Sequence, residues 1–358
     1  MKCIHCAKDC KYSERSDKKC PHCKHPFAFE PRQGDPFTDG VFQSALDTIS
    51  ASSTIRFGPE HIYYEICRRK RYRFRHAHLY LIAGGHFLGV CACLLLPSPW
   101  RWFMPFLLLG IIVAIAWGFR ERRLVPLSRG EFERLWNRWC EAHGKPKGLI
   151  VRKQAPAKPV PLESDVGDYS FDRVVVCDSE ATVDLLLANQ FHFENNCAVL
   201  SIDGYPPGIF TLVRDMLKRN PHLQVFVLHD ATMKGCRLAH KLATDPAWFG
   251  KKIKVIDVGL RPIHADAFKG LWTESGKEVQ PGDGISVSEA KWLSAYALAL
   301  AAVRPEQVLK RLFRAINRQF DPHAESSSGG DGGNTGTTDT ASFADDAGDT
   351  DGGADAFG

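Results

Sequence analysis

Hydrophobic and polar positions follow different rhythms along the chain, and the rhythms divide it. Between Asp35 and Arg75, Phe42, Ala45, Leu46 and Ile49 recur at helical spacing, and Gly58-Pro59 opens a second helix bearing Ile62, Tyr63, Ile66 and Cys67. Polar residues then almost vanish, because Leu79 to Phe119 holds one His, one Arg and no Asp, Glu or Lys. That stretch predicts a transmembrane hairpin with spans 79–96 and 103–119, turning at Pro97, Pro99, Trp100 and Trp102. At ~1.5 Å per residue each run reaches about 26 Å, close to the ~30 Å hydrocarbon core. Arginines and lysines crowd the outer flanks, Arg68 to Arg75 and Arg120 to Arg123, while Arg101 stands alone in the turn. The expectation is a multi-pass protein of the inner membrane with both termini cytoplasmic.

After the hairpin, Ser128-x-x-Glu131 predicts a capping box on a helix that carries Phe132, Leu135, Trp136 and Trp139 on one face. Residues 144–170, with four prolines and no periodicity, read as a linker. From Phe171 the period changes again. Strand-like runs at 173–177, 197–202, 224–228 and 252–258 alternate with helix-like runs at 180–189, 208–219 and 235–244, the pattern of a parallel sheet with crossover helices. Two further helices are predicted over 288–303 and 305–320. Residues 324–358, with nine glycines and eight acids, cannot bury enough apolar surface to fold. The predicted fold class is therefore multidomain: a module at 1–30, a juxtamembrane segment at 31–76, a transmembrane hairpin at 77–120, an amphipathic helix at 121–143, a linker, an α/β domain at 171–323 and a disordered acidic tail.

Charge sharpens this picture. The formal charge of +5 hides an asymmetry, since the last 35 residues hold eight acids and no Lys or Arg, which leaves +13 on the rest. A basic body beside a bilayer is first explained by attraction to anionic lipid, at ~1 kcal/mol per well-placed cation, and then by nucleic acid. Of twelve cysteines, five lie in the first 23 residues and the others are scattered, as in a reducing compartment.

The clustered cysteines carry the clearest chemistry. Cys3-x-x-Cys6 and Cys20-x-x-Cys23 can place four thiolates around one Zn²⁺ at ~2.3 Å, and such a short segment would draw its folding free energy from the metal. Cys10 is left over, and His5, His22 and His25 are alternative ligands. The segment resembles the small zinc ribbons at the N-termini of many bacterial membrane proteins, which implies an interaction or scaffold module.

A second constellation is acidic. Asp178, Asp203, Asp230 and Asp257 each close a predicted strand, and the carboxyl ends of a parallel sheet are where ligands bind. Convergent carboxylates suit Mg²⁺; an Asp after a strand is also an ordinary turn or capping residue. Asp178 with Glu180 nearby, then Gly204-Tyr205-Pro206, then Asp230-Ala231-Thr232 with Gly235, resemble the Toprim domain of the A subunit of type IIB topoisomerases. Gly259-Leu260-Arg261-Pro262 resembles that family's continuation. The resemblance implies a Toprim-like sheet with Asp178 and Asp230 as the metal-holding acids. Thr232 stands where the family has a second Asp, and no winged-helix domain with a catalytic tyrosine precedes the sheet, so it also implies a catalytically degenerate site. The expected function is a membrane-anchored cytoplasmic adaptor or regulator that binds a protein partner without turnover. The alternative is an Mg²⁺-dependent, nuclease-like phosphoryl-transfer enzyme acting on nucleic acid through Asp178 or Glu180 with Asp230, supported by Asp203.

Overall fold

Three helices from the first half of the chain share one hydrophobic core with a face of a parallel sheet from the second half, and the N-terminal cysteine module is tied to the helices. The computed structural model describes residues 1–15, 17–70, 85, 124–151, 173–207, 223–246, 248, 253 and 255–318. Helix α1 (Asp39–Ile49) begins where the Thr38 hydroxyl accepts from the Val41 amide, and it buries Phe42, Ala45, Leu46 and Ile49. Helix α2 (59–70) buries Ile62, Tyr63, Tyr64, Ile66 and Cys67. Helix α3 (Arg129–His143) starts with the reciprocal capping box between Ser128 and Glu131 and buries Phe132, Leu135 and Trp139. Trp139 stacks on Phe42 at 4.5 Å and on Phe29 at 6.1 Å, which closes the aromatic centre of this half.

The sheet is made of β1 (Arg173–Cys177), β2 (Cys197–Ser201), β3 (Gln224–Leu228) and β4 (Val255–Asp257), all parallel in the order β2-β1-β3-β4. Helix α4 (Glu180–Ala188) follows β1, and α5 (Leu238–Thr244) precedes β4. Both faces are covered, which is why the strands read as continuous apolar runs. Val175, Cys177, Val199, Phe226 and Leu228 share one core with α1, α2, α3 and the C-terminal helix. Val174, Val176, Ala198, Leu200, Val225 and Val227 form the other core with Leu238 and Leu242 of α5. At roughly 1.5–3 kcal/mol for each fully buried aliphatic or aromatic side chain, these cores hold the strand ends in place.

After β4 come helices α6 (Val287–Ala295) and α7 (Pro305–Arg318). The continuous helix predicted over 288–303 is interrupted, because Tyr296–Ala297 pair with Thr273–Glu274 as a short antiparallel ladder and the Leu298 amide donates to the Ala231 carbonyl. The helix starts one residue before the predicted 288, capped by Ser286 in a second reciprocal box with Glu289.

The membrane expectation requires correction. Among the described residues no helix is long and apolar enough to cross a membrane, and the spans expected at 79–96 and 103–119 lie, Gly85 apart, outside those residues. Two of the flanking arginines serve the core. Arg68 donates to the Ala302 carbonyl at 2.7 Å and pairs with Glu65, and Arg69 pairs with Glu65 and donates to Ser44 and Thr48. A transmembrane hairpin, a multi-pass topology and an inner-membrane location with cytoplasmic termini are therefore withdrawn. The fold class that stands is a parallel four-stranded sheet with helices and an N-terminal cysteine cluster.

Candidate metal centre and the acids at the strand ends

Two short loops build the cysteine cluster, and the second repeats the first seventeen positions later. In the first, the Cys3 amide donates to the Lys8 carbonyl and the Ala7 amide to the Cys3 carbonyl; in the second, the Cys20 amide donates to the His25 carbonyl and the Lys24 amide to the Cys20 carbonyl. Each loop turns through a residue with positive φ, Ala7 at 58° and Lys24 at 63°, and each closes in an antiparallel bridge, Lys2 with Asp9 and Lys19 with Pro26. The tight turns bring both thiols of each knuckle to one side.

The outcome is a set of four sulfur atoms, from Cys3, Cys6, Cys20 and Cys23, that all lie within 4.8 Å of one another. Cys3 to Cys23 and Cys6 to Cys20 are each 3.7 Å apart. A tetrahedron with metal–sulfur bonds of ~2.3 Å has edges of about 3.8 Å, so the set is shaped for a metal ion. Burial opposes ionisation of Cys20, but the backbone amides of Cys23 and His22 point at its sulfur and bring the thiol down to about 6. At Cys23 the backbone amide of His25 is outweighed by burial and the neighbouring thiols, which push it up to about 12, and burial raises Cys3, so Cys20 is the thiol of the set that ionises first. Neither His5, His22 nor His25 joins the group; the His5 and His25 rings stack on each other at 4.4 Å, and His25 stacks on His143 of α3 at 5.4 Å. The module is moored beyond the metal loops, where the buried Asp39 carboxylate accepts from the Ala28 and Phe29 amides and contacts His143 Nε2 at 2.7 Å.

The strand-end acids are only partly brought together. Strands β1 and β3 are adjacent and in register at Cys177 and Leu228, so Asp178 and Asp230 meet. Asp178 Oδ2 accepts from the Asp230 amide at 2.8 Å, and Asp230 Oδ1 accepts from the Leu300 amide at 2.7 Å. The two carboxylates thus latch β1 to β3, and β3 to the segment after α6. Asp178 Oδ1 is buried without a hydrogen-bond partner. Asp203 stays outside, more than half exposed and paired with Lys234 at 3.1 Å, and Glu180 begins α4. Tyr205 of the Gly-Tyr-Pro turn donates to Asp184 of α4 at 2.6 Å, and Thr232 caps the short helix Met233–Cys236. These motif residues are occupied in holding turns.

The sequence reading missed the residue at the centre of this region, His229. Its Nε2 lies 2.9 Å from Asp257 Oδ1 and its Nδ1 lies 2.8 Å from the Asp230 carbonyl, so both nitrogens face acceptors and an imidazolium satisfies both. Burial pushes its pKa down, but the hydrogen bond to Asp257 and that carboxylate's charge outweigh it, and the net direction is up. Burial likewise pushes Asp257 up, but His229 and Arg261 hold it well below the ordinary carboxylate range. Arg261 reaches Asp257 at 2.7 Å and Glu289 of α6 at 3.2 Å, completing a part-buried chain of alternating charge. The available signal was a polar His-Asp pair ending an otherwise apolar strand, followed by Asp257 and Arg261 four residues apart.

Asp178 and Asp230 behave oppositely to Asp257. Burial raises both, and the charge of Asp178 adds to the effect on Asp230, which is pushed up to about 7. An acid whose folded pKa is raised binds more protons in the folded state than in the unfolded one, so stability falls as pH climbs from about 4 to about 7. Asp230→Asn keeps an acceptor for the Leu300 amide and removes the charge. It is expected to stabilise the protein at pH 8 by on the order of 1–3 kcal/mol and to have little effect at pH 4, measured by urea unfolding at both.

Comparison of the chain with family models, curated proteins and solved structures returned no match. The resemblance to the Toprim domain and the topoisomerases therefore finds no support and is withdrawn, as is the resemblance to the ribbons of membrane proteins. What stands is the four-cysteine cluster itself. Its residues could bind a metal ion.

Proposed function

We propose that the protein is an adaptor built around a structural zinc centre, which holds an acidic partner without turning anything over. The observation that carries the reading is the closed set of Cys3, Cys6, Cys20 and Cys23, with four sulfurs at tetrahedral spacing. Four protein ligands fill a Zn²⁺ coordination shell and leave no position for substrate, the arrangement of structural sites. When bound, zinc would supply the cohesion that this small module's own core lacks.

Charge supports the partner's character. Lys2, Lys8, Lys11, Lys18, Lys19 and Lys24 are exposed on this module, and none forms an ion pair among the described residues. Against them stand the exposed Asp9, Glu14 and Asp17 and the double negative charge of a zinc–tetrathiolate centre, so the six lysines leave a small positive surplus. Binding through such lysines should weaken steeply with salt.

The Mg²⁺-dependent phosphoryl-transfer reading retains one supporting observation, the unpartnered Asp178 Oδ1. Against it, Asp203 faces Lys234, and the other oxygens described for Asp178 and Asp230 accept from backbone amides. One pair of measurements on the intact chain decides. The adaptor reading expects about one zinc per chain by elemental analysis and no calorimetric Mg²⁺ binding at millimolar concentration. Mg²⁺ binding that disappears in Asp230→Ala, together with phosphodiester hydrolysis, would establish the enzyme.

A further inference from the structure

Cys10 is the thiol that the metal-ligand set leaves over, and the repeat between the knuckles shows what its position is for. The Cys10 amide donates to the Met1 carbonyl as the Phe27 amide donates to the Lys18 carbonyl, so Phe27 is its counterpart seventeen positions on. Both side chains are buried beside the ligands, at 0% and 6% exposure. One knuckle thus plugs its base with a phenyl ring and the other with a thiol. That thiol is not inert packing, for its Sγ lies 3.7 Å from Cys20 Sγ, as close as the ligand sulfurs lie to each other. It stands outside the group of four, so metal binding would leave it a free thiol in contact with a bound thiolate.

Resting on the zinc-centre reading, we infer that Cys10 and Cys20 are a peroxide-sensitive pair whose disulfide opens the metal site. The Cys20 thiolate attacks one oxygen of hydrogen peroxide, the O–O bond breaks and hydroxide departs, leaving a sulfenic acid on Cys20. Cys10 then attacks that sulfur; the S–S bond forms, the S–O bond breaks, and the hydroxyl leaves with the Cys10 proton as water. The hydroxide takes a proton from solvent, so two sulfurs lose two electrons together and peroxide ends as two waters. Cys20 can no longer ligate, and the metal is left with three thiolates. Phe27 permits no such step in the second knuckle, so the chemistry is directed to one edge of the centre.

The test uses the full chain, reduced, desalted and treated with hydrogen peroxide. Zinc release is followed with a chromophoric chelator while alkylated peptides are mapped by mass spectrometry. Release of bound zinc in step with a Cys10–Cys20 linked peptide, both reversed by dithiothreitol, is the expected result. Cys10→Ala is expected to hold zinc normally before oxidation and to release it about tenfold or more slowly. Linkage of Cys6 to Cys20 or of Cys3 to Cys23, or release from Cys10→Ala at the wild-type rate, would overturn the proposal. Should that variant fail to fold, the wild-type peptide map decides alone. A chain isolated without zinc overturns the zinc reading; in that chain a Cys10–Cys20 link still supports the pair, and its absence refutes it.

Discussion

Replacing Cys20 by serine in the intact protein is expected to release the metal and unfold the first 27 residues, while the helices and sheet remain folded. The magnitudes decide this. The module's own buried cluster consists of Cys3, Cys10, Cys20 and Phe27, and burying one phenyl ring contributes roughly 1.5–3 kcal/mol. A structural zinc site contributes an apparent ~10–16 kcal/mol, and where no core exists that binding energy is folding energy. The unfolding should stop near Ala28, since the amides of Ala28 and Phe29 are held by the buried carboxylate of Asp39, and Phe29 belongs to the main core. Trypsin reads the outcome, because Lys8, Lys11, Lys18, Lys19 and Lys24 lie in the affected segment. Cleavage there should accelerate at least about tenfold in Cys20→Ser, with the melting of the remainder little changed. Undiminished metal content in the variant would contradict the expectation.

The second large effect lies just after β4. Gly259→Ala is expected to destabilise the protein by roughly 3–5 kcal/mol, a large share of a typical 5–15 kcal/mol total. A Cβ at this position would stand 2.4 Å from His229 Cδ2 and 2.6 Å from Cγ and Nε2. Ordinary overpacking costs ~1–3 kcal/mol because neighbours move aside. Here the imidazole cannot move aside without leaving Asp257 and the Asp230 carbonyl, and breaking a buried ion pair costs about 3–5 kcal/mol by itself. His229→Ala removes the obstacle, so the double variant should be much more stable than the sum of the two losses implies. Urea unfolding of the two single variants and the double variant measures this coupling; additive losses would show that the ring and the glycine do not compete for the same space.

The elements most legible in the sequence were those whose local signal agreed with their packing. The strands 173–177 and 224–228 stood out because burial on both faces makes a strand uniformly apolar, and α3 stood out through its capping box and aromatic stripe. The helix expected over 288–303 has helical propensity throughout, yet the pairing of Tyr296–Ala297 with Thr273–Glu274 ends it at Ala295. Ser286 and Glu289 carried the correct start at the same spacing as Ser128 and Glu131. The four clustered cysteines were readable because ligand spacing is a local property. The strand-end acids were not, since four similar Asp residues meet four different surroundings: Asp178 and Asp230 share a latch, Asp203 faces solvent, and Asp257 pairs with His229 and Arg261. The arginines ahead of the apolar stretch misled for a related reason. A charge run looks the same whether it meets lipid headgroups or, as Arg68 and Arg69 do, a buried Glu65 and nearby backbone carbonyls.

The central claim, that the chain folds its N-terminus around one metal ion held by four thiolates, is tested most directly by X-ray absorption at the zinc edge on the intact protein isolated without added metal. The account predicts a single shell of four sulfur atoms at about 2.3 Å. A shell containing nitrogen or oxygen ligands, or no zinc edge at all, would contradict it.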